Sequence, residues 1–298
     1  MQREIINIMQ NYYESFIVLS NNQKLSYIGY GDTNENTVIF LHGFGSSARS
    51  IHPDTKILDK YNIRFFALNR PGYGESDFDL GYSMEDYADW VNEFLMAKGI
   101  QKASLIGWSA GGLYSQVFTG KYPEKVTCLN LVSSAIPLNG SETKRILPMN
   151  WKMIRIMNRY IPLMTKFYFQ SLSKKVAKNM DATIQESIEQ MVEEDKKVVN
   201  NPIMQAAIIK GTVEGYKNSG IGVYYDALAL CKKFKVFKNP ISNIKVNIWQ
   251  GGKDTIWTAE TSNYLREKYP NSTYTYIDNA GHLLYLSQWD EILKSSVG

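Results

Sequence analysis

One short stretch constrains this chain more than any other. Residues 103–112 read ASLIGWSAGG, an apolar run that stops at Gly107-Trp108-Ser109-Ala110-Gly111. A G-x-S-x-G pattern placed between a strand and a helix demands a sharp turn, with the serine at its apex and its hydroxyl clear of the backbone. The turn crowds the residues two before and two after the serine, and glycine at 107 and 111 leaves room for that approach. The context fits. Ala103–Trp108 has the length and composition of a buried strand, and Leu113 through Tyr122 continue as a helix that Pro123 stops. The N–H groups at that helix's start converge on Ser109 and favour developing negative charge.

A serine hydroxyl attacks poorly until a base takes its proton, and the usual base is histidine, with a pKa of about 6.5. The chain has three histidines. His282, in a glycine-containing loop (DNAGHLLYL) after the strand-like run 273–277, is the best placed. His42 is expected to shape its own loop and His52 to be structural. An acid must then orient His282 and stabilise its protonated form. Asp254 follows Gly251-Gly252-Lys253 at the end of a predicted strand over 245–250, where catalytic groups of open parallel sheets collect. Asp278 is the rival, although it would have to fold back across its own loop. An oxyanion hole needs two backbone N–H donors. Ala110, directly after the serine, is one candidate. Phe44, in the loop His42-Gly43-Phe44-Gly45 after the apolar run 37–41, is the other.

With these residues in view the chain resembles the α/β-hydrolase superfamily. The segments HGFGSS (42–47), NRPGYGESD (69–77), GWSAGG (107–112), GGKD (251–254) and AGH (280–282) occur in that family's order and spacing, from about residue 24 to the end. The order nucleophile, acid, histidine also matches. GFGSSARSIHPD together with GWSAGG is similar to a broad group of single-domain bacterial serine hydrolases with a helical cap. The resemblance implies an acyl-enzyme on Ser109 and no metal or organic cofactor. An aspartate nucleophile, as in relatives that dehalogenate or open epoxides, is excluded by Ser109, and the HGGG loop of hormone-sensitive-lipase-like esterases is replaced by HGFG. Arg70 and Asp77 read as structural.

Strand-like runs recur near 37–41, 64–69, 103–108, 126–132, 244–250 and 273–277, with helical patterns between several of them; Ser83 caps one, with Tyr87, Trp90, Val91, Phe94 and Leu95 on one face. This alternation predicts an α/β fold built on a mostly parallel, doubly wound sheet. Residues 16–31 alternate and turn at Gly29 and Gly31, which suggests an opening antiparallel hairpin; residues 1–15 read as an amphipathic lead or a flexible extension. The strand pattern breaks between 137 and 225, where the family inserts its cap, so the expected organisation is a core of 1–136 and 226–298 with a cap of 137–225. In the cap, Met149, Met153 and Met157 fall on one helical stripe. That stripe is expected to pack on the core or to roof a substrate's acyl or aryl part. Trp108, Met153 and Met157 are the candidate substrate-binding residues.

The 298 residues allow a sizeable core, and the net charge of +4 gives no case for nucleic acid. Residues 140–225 hold thirteen Lys or Arg against eight Asp or Glu. The default reading is a solvated helical surface; attraction of an anionic substrate or membrane surface is the lesser alternative. Two cysteines without framework spacing, no signal-peptide pattern and no apolar run long enough for a membrane span are compatible with a reduced cytoplasmic setting. The expected partner is a small molecule, most simply a small, largely apolar carboxylic ester. A thioester, lactone, amide or activated C–C bond would use the same triad, and a non-catalytic ligand-binding protein of the same fold is the alternative from another class.

Overall fold

A computed structural model describes residues 11–233 and 244–297. Eight strands form one sheet: β1 (Tyr13–Val18), β2 (Lys24–Tyr30), β3 (Asn36–Leu41), β4 (Ile63–Leu68), β5 (Ala103–Trp108), β6 (Val126–Val132), β7 (Lys245–Gly251) and β8 (Thr273–Ile277). Their order is β1-β2-β4-β3-β5-β6-β7-β8. β1 and β2 are antiparallel to their neighbours, and the rest of the sheet is parallel. The opening hairpin exists, but it reverses at Leu19–Gln23, where Asn22 takes φ 65°, and Gly29 lies within β2. The alternation over 16–31 was thus two strands with an Asn-containing turn between them, a position where asparagine tolerates the left-handed conformation. The lead over residues 1–10 lies outside the described residues; Tyr13 to Ser15 belong to β1.

Every residue of β5 is buried, as expected for a central parallel strand covered on both faces. Leu105 packs with Trp90, Phe94, Leu113 and Val117 of helices α2 (Met84–Ala97) and α3 (Ala110–Lys121). Its neighbour Ile106 faces the opposite layer, formed by helices α1 (Lys56–Lys60) and α12 (Trp289–Val297) through Leu58, Trp289 and Ile292. Truncating an aromatic such as Phe94 to alanine would cost about 3–5 kcal/mol, the scale for a buried Phe. Ser83 caps α2 in a reciprocal box with Asp86.

Between β6 and β7 the chain leaves the sheet, and the described residues there form six α-helices: α4 (Met149–Tyr160), α5 (Pro162–Lys178), α6 (Met180–Glu189), α7 (Glu193–Val199), α8 (Pro202–Gly215) and α9 (Ile221–Cys231). The expected boundary at 225 falls inside α9, so the helical insertion runs at least to Cys231. Helix α9 is apolar almost throughout and docks on the core with Val223, Ala227 and Leu230 buried. Helices α10 (Ala259–Lys268) and α11 (Leu284–Ser287) complete the described α-helices.

Candidate active site

Parallel pairing brings the strand ends together. Leu41 pairs with Gly107, Val132 with Trp249 and Gly251 with Ile277. The loops after β3, β5, β7 and β8 therefore open at one rim of the sheet, the edge where open parallel sheets assemble their sites. Ser109 occupies the turn between β5 and α3 with φ 55° and ψ −124°, a backbone region that side chains seldom adopt and that is often held at functional sites. A Cβ on Gly111 would overlap the Leu41 carbonyl, and one on Gly107 would lie 2.6 Å from the Gly111 carbonyl oxygen. Glycine at these two positions is what lets the elbow close. Ser109 N–H donates to Val132 O at 3.0 Å, and Ser109 O accepts from Ala135 N–H at 2.9 Å, so the end of β6 and the loop after it clamp the strained residue.

His282 is buried, and its Nδ1 lies 3.0 Å from Asp254 Oδ2. The other carboxylate oxygen of Asp254 accepts the N–H groups of Ile256 at 2.8 Å and Trp257 at 3.0 Å, which fixes the acid's orientation. Asp278 is exposed and makes no hydrogen bond to His282. Burial pulls the imidazole pKa down, but the charge and hydrogen bond of Asp254, followed by the charge of Asp195, lift it above its ordinary value. A partner on Nδ1 fixes the tautomer and leaves Nε2 available as a base. No hydrogen bond joins Ser109 Oγ to His282; the hydroxyl instead accepts from the indole Nε1 of Trp257 at 3.2 Å. Hydrogen bonds of this kind often tighten only when substrate is bound.

Ala110 begins α3, so its N–H is among the amides that a helix start leaves unpaired. The loop bearing Phe44 runs close to Ser109: a Cβ on Gly43 would lie 3.3 Å from Ser109 Cβ. A buried cation holds that loop. Arg70 is fully buried and donates from Nη1 to His42 O at 2.6 Å and from Nη2 to Gly43 O at 2.9 Å. Its guanidinium is neutralised by the buried carboxylate of Asp226 from α9, with Nη2 at 2.8 Å and Nε at 3.1 Å from Oδ2. Tyr73 and Tyr114 hydroxyls also donate to Asp226 at 2.8 and 2.6 Å. His42 is buried, and burial followed by the charge of Arg70 keeps it well below its usual pKa. His52 stacks on Trp289 at 5.9 Å, and burial pushes its pKa down to about 4.

The structure distributes the candidate substrate-binding residues differently from the expectation. Trp108 is buried beside His282, donating from Nε1 to His282 O at 3.0 Å and packing on Tyr285 at 4.6 Å, so it braces the histidine loop. Met149 and Met153 project to the exterior of α4, and Met157 is partly buried. A stripe of methionines does not tell which way a helix is rotated; Trp151 and Asn158, the buried residues of α4, settle it. Trp151 stacks on Trp257 at 5.1 Å and meets Phe44 at 5.2 Å, and Phe44 meets Phe169 at 5.7 Å. An aromatic cluster therefore reaches Ser109 through Trp257, while Met149 and Met153 neither pack on the core nor face it. Trp257, Trp151, Asp195 and Asp226 escaped the reading of the sequence. The one usable signal was Asp226, a lone acid in the otherwise uncharged helix Ile221–Cys231, which requires a buried cation as partner.

The sequence profile of the alpha/beta hydrolase fold matches residues 36–288. A Mycoplasma pneumoniae protein named as an esterase/lipase is 33% identical over 115 residues, 37% of this chain and 42% of its own. The chain thus spans about two fifths of that relative's length. A Pectobacterium carotovorum protein named pimeloyl-[acyl-carrier protein] methyl ester esterase is 22% identical over 271 residues, 90% of this chain and 94% of its own. Among solved structures, the enol-lactonase from Burkholderia xenovorans LB400 superposes with a TM-score of 0.69 at 17% identity, covering 95% of this chain and 98% of its own. The esterase from Exiguobacterium antarcticum gives 0.66 at 19% identity with the same coverages. At such identities these two structures speak to the fold.

Proposed function

Because the chain belongs to the alpha/beta hydrolase fold family, and because an oriented imidazole stands at the rim that carries its elbow serine, we propose that it is a serine hydrolase that cleaves a small, largely apolar carboxylic ester. The observation that carries this reading is the 3.0 Å contact between Asp254 Oδ2 and His282 Nδ1, at the same rim as a serine in strained elbow geometry. Relatives named esterase/lipase and methyl ester esterase support the choice of an ester. The aromatic roof of Trp151, Phe44 and Phe169 favours an apolar acyl group.

In the proposed cycle the Ser109 hydroxyl turns from Trp257 toward His282 as substrate enters. His282 Nε2 takes the proton while Oγ attacks the ester carbonyl. The N–H groups of Phe44 and Ala110 bind the oxyanion, and Asp254 stabilises the imidazolium without taking its proton. His282 then protonates the departing alcohol, and a water molecule repeats the sequence on the acyl-enzyme.

The test is a fluorophosphonate probe followed by peptide mapping, with an ester panel of graded acyl length. Covalent labelling of Ser109 and a loss of several powers of ten in rate for Ser109→Ala are expected. A folded Ser109→Ala protein that keeps most of its activity would overturn the proposal.

A further inference from the structure

The outer face of the cap carries an apolar surface that catalysis does not use. At 100° per residue, Met149, Met153, Ile156 and Tyr160 of α4 lie within about 60° of one another, and all point outward. The stripe continues onto α5 through Leu163, Met164 and Phe167. Tyr160 is 70% exposed, Leu163 68% and Phe167 63%. Single exposed apolar residues are ordinary, but a contiguous set on two consecutive helices marks an interaction surface. Its charge is equally one-sided. Residues 143–180 contain nine Lys or Arg (144, 145, 152, 155, 159, 166, 174, 175 and 178) and no Asp or Glu. Lys152 and Arg159 lie along one edge of the stripe. Among the described residues no carboxylate pairs with either of them or with Lys166.

We propose that this face of α4 and α5 docks on an anionic lipid bilayer. Apolar and aromatic side chains beside a row of bases are the arrangement by which amphipathic helices lie in a membrane interface, the apolar groups entering the acyl boundary and the cations meeting lipid phosphates. A second copy of the chain fits less well, because a self-complementary contact would set Lys152, Arg159 and their like charges against their own copies. The opposite face of α4 bears Trp151, stacked on the Trp257 whose indole reaches Ser109. The docked helix is therefore linked to the candidate nucleophile through one intervening indole, and a hydrophobic ester could pass from the bilayer toward it. The docking itself is independent of the proposed esterase activity.

The full chain is sedimented with extruded vesicles of phosphatidylglycerol and phosphatidylcholine or of phosphatidylcholine alone, at low salt and in 0.5 M salt. Partition onto the anionic vesicles is expected to exceed that onto neutral ones by about tenfold or more, and to fall with salt. Leu163→Asp with Phe167→Asp, and separately Lys152→Glu with Arg159→Glu, should each reduce it at least about tenfold, with circular dichroism unchanged. Equal partition onto both vesicle types, no partition onto either, or variants that bind like the wild type would overturn the proposal. So would binding to poly-L-glutamate without binding to vesicles, which would assign the face to an acidic protein, or a dimer dissolved by Leu163→Asp with Phe167→Asp in the absence of vesicle binding. The sedimentation readout needs no turnover, so an inactive enzyme and an undocked one are told apart.

Discussion

Asp195, carried on cap helix α7, accepts the backbone N–H of His282 at 2.9 Å, and its other oxygen accepts that of Leu283 at 2.8 Å. The helical insertion thus reaches the loop that carries His282, and a Cβ on Gly281 would collide with this carboxylate. Asp195→Ala would strand two buried donors, at a cost of about 1–3 kcal/mol in stability. The charge of Asp195 raises the His282 pKa, so its loss lowers that pKa and moves the acid limb of the kcat/KM profile to lower pH. An unmoved limb in the variant would show that the cap carboxylate does not act on the imidazole.

Trp257 Nε1 occupies a lone pair of Ser109 Oγ in the resting site. Trp257→Phe removes that donor and retains an aromatic ring against Trp151. A neutral hydrogen bond of this kind is worth about 1 kcal/mol, so fluorophosphonate labelling of Ser109 should become several-fold faster. Labelling at the wild-type rate would mean that the indole does not restrain the hydroxyl.

The sheet was readable because its central strands are short, apolar and bounded by turn residues, and the bounds expected for β5, β6 and β8 coincide with those observed. The elbow was readable because its geometry admits so few residues. Asp254 and His282 were legible through the loops that follow β7 and β8. What stayed hidden depends on relations between distant segments. Asp195 sits in Glu193-Glu194-Asp195, an acidic first helical turn that reads as a solvated cap, and only tertiary packing turns its third member inward. The rotation of α4 was hidden for the same reason: an apolar stripe signals a contact without saying with what, and here Met149 and Met153 face outward while Trp151 turns in.

Arg70 and Asp226 form a fully buried ion pair joining the Phe44 loop to cap helix α9. Removing one partner leaves an uncompensated charge, and Asp226→Ala should cost about 3–5 kcal/mol, read as a drop in unfolding midpoint. Replacing both, as Arg70→Met with Asp226→Leu, removes that penalty and should recover much of the stability. It also removes the donors to the His42 and Gly43 carbonyls, so kcat should stay low in the double variant even where the fold is restored. Full activity in a stable double variant would show that the loop holds its shape without the guanidinium.

The raised His282 pKa sets activity and stability in opposition. Hydrolysis needs the neutral ring, so kcat/KM should climb through a half-point above 6.5 and then level. Stability has the other sign. A base whose folded pKa exceeds its unfolded value stabilises the fold fully below about pH 6.5, and that contribution fades as pH rises through the folded value. Asp254→Asn removes the charge and weakens the hydrogen bond that outweigh burial, so the acid limb should shift to lower pH. The plateau rate should fall by about four orders of magnitude, because the amide no longer holds the required tautomer. The unfolding midpoints of wild type and variant should differ most at pH 5 to 6 and converge as pH rises through the wild-type half-point. A midpoint difference that stays constant across that range would mean that the imidazolium–carboxylate pair does not contribute to the fold.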